Sequence, residues 1–89
     1  MFKDELKLSA IITKAIAIYN SDNDWKFKFY AIFSSQISGE IYYLCEKLNI
    51  SMNYYDLDTT YKEDVEAYIC HIKSVNRNLN SLFREYISI

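Results

Sequence analysis

Cys45, Cys70 and His71 are the only thiols and the only imidazole in this 89-residue chain, so metal or nucleophilic chemistry would have to start from them. Three soft ligands do not close a tetrahedral structural zinc site, and neighbouring Cys70 and His71 diverge by about 100° on a helix. A Cys–His nucleophile would need one thiol brought to His71 by the fold, and no spacing in the chain supplies that. Asp56-Leu57-Asp58 begins like a calcium-binding loop and then departs from it. Tyr61 stands where the sharp turn requires glycine, and Ala67 where a bidentate carboxylate is needed. No paired acid and base can be placed either, so the chain is not expected to be an enzyme, nor to hold a metal or a cofactor.

Binding chemistry is better represented. Tyr54, Tyr55, Asp56, Asp58, Tyr61, Glu63, Asp64, Glu66 and Tyr68 fall within fifteen residues, opposed only by Lys62. Residues 51–64 carry a net −3 within a chain whose net charge is −2. Tyrosine offers contact area at low entropic cost, and carboxylates steer an encounter. Tyr54, Tyr55, Asp56, Asp58, Tyr61, Asp64 and Tyr68 are therefore the expected contact surface for a larger protein with a basic patch. Lys73, Arg77 and Arg84 share one flank of the last helix and could follow phosphates as a nucleic-acid alternative, although Glu66 lies on that flank and the net charge is unfavourable. Trp25, Phe27, Phe29 and Tyr30, interleaved with Lys26 and Lys28, resemble a base-stacking surface in miniature, but aromatics at these spacings fit a core equally well.

The elements that must carry these residues follow from periodicity. Val65, Ile72, Leu79 and Tyr86 recur every seventh residue, beside a second row of Tyr61, Tyr68, Val75 and Leu82. A third row, Ile69, Asn76 and Phe83, widens the stripe to the face of a bundle helix. Asn76 interrupts that row, either fixing register or sitting at the core margin. Thr60 to Glu63 fits a capping box, and the helix can run to about Ser88.

Upstream, Leu8, Ile11, Ile12, Ala15, Ile16, Ile18 and Tyr19 form one face of a helix over residues 3–19, opposite Ser9, Thr13 and Lys14. Asp24 is a natural N-cap after a polar loop. Phe29, Phe33, Ile37, Ile41, Leu44 and Leu48 continue as a single face, predicting one helix over 24–48. The alternation of Trp25, Phe27, Phe29, Ala31 and Phe33 leaves a strand near 25–34 as the fallback.

The expected fold is thus all-α, one domain over residues 1–89, with three main helices near 3–19, 24–48 and 60–88 in a small bundle. The absence of proline and the single glycine, Gly39, agree with that, because small sheet proteins need both to turn their hairpins. Nine tyrosines on so short a chain add amphipathic surface that suits interfaces, including a homo-oligomer. Two cysteines, and charges at Asp4, Glu5 and Lys14 that interrupt any leader, indicate a cytoplasmic protein with reduced thiols and no membrane partner. Ile, Asn, Tyr and Lys dominate the composition in the style of a low-GC bacterial or phage gene. The expected function is a non-catalytic protein-binding module, a small regulator or inhibitor. A nucleic-acid-binding regulator and a structural homo-oligomer are the alternatives.

Overall fold

The computed structural model describes residues 3–22, 24–33, 36–51 and 62–87, with side chains to Glu85. Four helical elements occur among the described residues: α1 (Lys3–Tyr19), α2 (Trp25–Phe33), α3 (Gln36–Lys47) and α4 (Lys62–Ile87). Among the described residues there is no strand, and the segment read as a fallback strand is helix α2. The chain is all-α, as its periodicity predicts.

The stretch expected as one helix over 24–48 is helical at 25–33 and at 36–47, both packed on α1, and the two residues between them lie outside the described residues.

Local chemistry fixes the ends. After α1, Ser21 donates both its N–H and its Oγ to the Ile18 carbonyl, at 3.2 and 2.6 Å. Asp24 caps α2: its Oδ1 accepts a long bond from the Lys26 N–H at 3.5 Å, and its carbonyl accepts from Lys28 at 3.1 Å. Helix α3 ends in a Schellman motif that the sequence reading did not anticipate. Asn49 adopts a left-handed φ of 56°, the Ile50 N–H donates to Cys45 at 2.9 Å, and the Asn49 N–H donates to Glu46 at 3.2 Å. Asparagine tolerates that backbone region better than most residues, and the turn folds Ile50 back against the core. The capping box at Thr60 lies outside the described residues, but Glu63 and Asp64 occupy the first turn of α4, where the helix dipole favours them.

The core is built around α1. Leu8, Ile12 and Ala15 are fully buried, with Ile11, Ile16, Ile18 and Tyr19 packed at its margin. Helix α4 contributes Val65, Tyr68, Ile69, Ile72, Val75 and Leu79, while α2 adds Ile32 and α3 adds Ile41, Leu44 and Cys45. Lys47 at the end of α3 pairs with Asp4 at the start of α1 at 3.0 Å, so the two helices run antiparallel. That carboxylate, through its hydrogen bond and its charge, holds the Lys47 ammonium above its ordinary pKa.

Ser9 on α1 donates to Asn76 Oδ1 on α4 at 3.2 Å, joining residues 67 apart in the chain. Asn76 is half-buried, which is the core-margin placement. A single neutral hydrogen bond of this kind contributes about 1 kcal/mol. Its larger effect is to select the sliding register of α4 on α1.

Candidate functional site

Of the residues expected to form the acidic contact surface, Tyr54, Tyr55, Asp56, Asp58 and Tyr61 lie outside the described residues. Asp64 is half-exposed in the first turn of α4, next to an exposed Glu63. Glu66, one turn on, pairs with Lys62 at 3.8 Å. Tyr68 is corrected: it is 0% exposed and belongs to the core. Its ring meets Phe33 of α2 at 4.6 Å and Tyr42 of α3 at 6.2 Å between centroids. The heptad row that places Tyr68 in the seam outweighs its neighbourhood of carboxylates. Burial pushes the phenol up to about 12, with Tyr42 and Cys45 adding to the shift. Ser38 approaches the hydroxyl from α3 and opposes the shift slightly, but the geometry falls short of a hydrogen bond.

The same row is corrected at its far end. Leu82 is 41% exposed, although Leu79 and Phe83 beside it remain against the core. Helix α4 has 26 residues and α1 only 17, so the end of the longer helix is covered along a narrower stripe.

Cys45 is buried and its thiol pKa is raised by that burial, which disfavours the thiolate. Cys70 is exposed on α4. Among the described residues no cluster of three metal-ligating side chains occurs. A shallow cleft between α1 and α3 is lined by Ile11, Lys14, Gln36, Ile37 and Glu40, and offers one cation and one anion without a buried polar group between them.

What the fold does assemble is a cationic and aromatic surface where α1, α2 and α4 meet. Tyr19, the last residue of α1, carries Lys28 of α2 at 5.3 Å from its ring centroid and Lys73 of α4 at 5.5 Å. Ammonium groups at such distances are attracted by the ring's quadrupole. The last turn of α1 has no basic residue of its own. Arg77, exposed, follows Lys73 by one helical turn. Arg84 is exposed farther along α4. Of the basic flank expected on the last helix, then, Lys73 is drawn onto Tyr19 rather than standing free in a row.

Helix α2 also turns large rings outward. Phe27 is 54% exposed and Tyr30 is 65% exposed. Phe29 and Phe33 stack at 5.0 Å on the inner side of the same helix, and Lys26 lies over Trp25 at 5.9 Å. The outward rings could have been found by phase. Residues 27 and 30 lie about 140° and 80° round the helix from the middle of the 29/33 face, and treating all the aromatics of α2 as one group concealed it. Tyr43 on α3, 63% exposed, was not singled out from the sequence.

No family model, curated protein or solved structure matches the chain. The functional reading therefore rests on this surface alone.

Proposed function

We propose that the protein is a non-catalytic protein-binding module, a small regulator or inhibitor of a larger cytoplasmic protein in the style of phage or mobile-element gene products. The observation that carries this reading is the pair of large rings Phe27 and Tyr30 on α2, each more than half exposed. Aromatic side chains of this kind are what interfaces use as anchors. The acidic start of α4, with Glu63 and Asp64, offers a second contact region of opposite charge, and the tyrosines that precede it would extend it. The two cysteines stay unpaired, which suits a reducing compartment. Among the described residues no helix is long and apolar enough to cross a membrane.

The test is capture from a native-host extract with the wild-type protein and with Phe27→Ala/Tyr30→Ala, followed by measured affinity for the protein recovered. Losing two aromatic anchors should weaken binding by about thirtyfold or more. An unchanged affinity in a folded double variant would remove α2 as the contact face and return attention to the start of α4.

A structural homo-oligomer is the second reading, favoured by Leu82, which extends a buried row yet stays 41% exposed. Sedimentation over a hundredfold concentration range separates the two. A mass that stays at one chain, 10.6 kDa, excludes self-assembly through that row.

A further inference from the structure

We infer that the junction of α1, α2 and α4 is a docking site for a short acidic peptide segment that carries a large apolar side chain. This rests on the protein-binding reading above and specifies the partner's chemistry, with a charge opposite to the one the acidic tyrosine run would select.

Two features that look unrelated along the chain become one surface in space. The lysine and aromatic segment of α2 and the basic flank of α4 are brought together by a single ring, Tyr19, which holds Lys28 and Lys73 at 5.3 and 5.5 Å. Held lysines lose less freedom on binding than lysines waving in solvent, so the cluster is partly pre-organised for an anion. Arg77 adds an exposed guanidinium one turn from Lys73, and a guanidinium takes a carboxylate in bidentate fashion. On α2 the exposed ring next round the helix from Lys28 is Phe27, about 100° away, whereas Tyr30 lies toward the opposite flank. Cations beside an exposed ring call for a ligand with carboxylates on one side and an apolar group on the other.

A nucleic-acid strand would satisfy the rings and cations locally, but its charge continues past the site. Asp22 and Asp24 follow Tyr19 directly, both exposed, and the whole chain is at −2. A polyanion leaving the cluster would run along these carboxylates, whereas a peptide can end its negative charge where the cations end. Complementarity therefore favours the acidic peptide.

The experiment is selection of random dodecapeptides displayed on phage against the folded wild-type protein, followed by fluorescence anisotropy of the enriched peptides. The expected result is enrichment of acidic sequences containing Phe, Leu or Trp. Their binding should weaken as salt rises and fall by roughly tenfold or more in Lys28→Glu/Lys73→Glu. Lys28→Arg/Lys73→Arg, which keeps both charges and both ring contacts, should retain it. If the charge-reversed variant does not fold, as judged by circular dichroism, Lys28→Gln/Lys73→Gln takes its place with the same expected loss.

Enriched peptides that are neutral or basic, or that bind the charge-altered variant undiminished, overturn the acidic-segment site while leaving the protein-binding module intact. No enrichment overturns the site as well; the module itself then falls only if the extract also yields no partner. Tighter binding of a short labelled oligothymidylate than of any enriched peptide overturns both in favour of single-stranded nucleic acid.

Discussion

Ile72→Ala should cost about 2–5 kcal/mol of stability, the range for truncating a buried isoleucine when the surroundings only partly collapse. Ile72 is 0% exposed, lies midway along α4, and belongs to the same cluster as Leu8 and Ile12 of α1. For 89 residues, the usual 0.05–0.15 kcal/mol per residue gives a total of roughly 4–13 kcal/mol. The loss is therefore a substantial part of the total, and the variant should unfold at a clearly lower urea concentration than wild type. Urea titration followed by circular dichroism measures the loss, with Leu6→Ala as the reference, because Leu6 is 58% exposed and its truncation should change stability by about 0.5 kcal/mol or less. Equal midpoints for the two variants would contradict the packing of α4 on α1.

Tyr68→Phe should behave in the opposite way. The hydroxyl is buried and, among the described residues, has no hydrogen-bond partner, so removing it should leave the protein as stable at neutral pH, or more stable by about 1 kcal/mol. The alkaline limb gives the larger effect. The phenol is pushed up to about 12 from 10.0, so folded Tyr68 keeps its proton where the unfolded chain has released it. Between those values the unfolded state binds fewer protons, and stability falls as pH rises, by an amount on the order of 2 kcal/mol once both forms have titrated. Below pH 10 the contribution is fully present. Phenylalanine cannot titrate, so the variant should lose less stability than wild type between pH 10 and 12. Matched urea midpoints at neutral pH and near pH 12 compare the slopes, and parallel losses would show that Tyr68 is not the group responsible.

How far these features were legible depends on whether they are local. The α1 face from Leu8 to Tyr19, the seam of Val65, Ile72 and Leu79, and the Asp24 cap are written in spacings of a few residues, and each appears where periodicity puts it. The apolar face expected over 24–48 packs against the core at Phe33, Ile37, Ile41, Leu44 and Leu48. Ile32 escaped notice behind Phe29 and Phe33, although it is the one fully buried residue of α2. Tyr68 satisfied two patterns at once, a heptad row and an acidic aromatic run, and burial decided for the first. The Tyr19 junction could not be read at all. Its three residues come from three helices, and each alone looked ordinary: an apolar-face tyrosine, a surface lysine, and one member of a basic flank.

The pairing of α1 with α4 has a consequence for how the chain is made. Synthesis runs from the N-terminus, so α1, α2 and α3 emerge first, and Leu8, Ile12 and Ala15 must wait for residues 65–79 to cover them. Until Asn76 has cleared the ribosome, Ser9 has nothing to register against. Contacts that span most of the sequence slow folding, and a half-made core exposes apolar surface to neighbouring chains. Nascent chains stalled short of Leu79 should therefore fall to chaperones and proteases, because the residues that cover the α1 core have not yet been made.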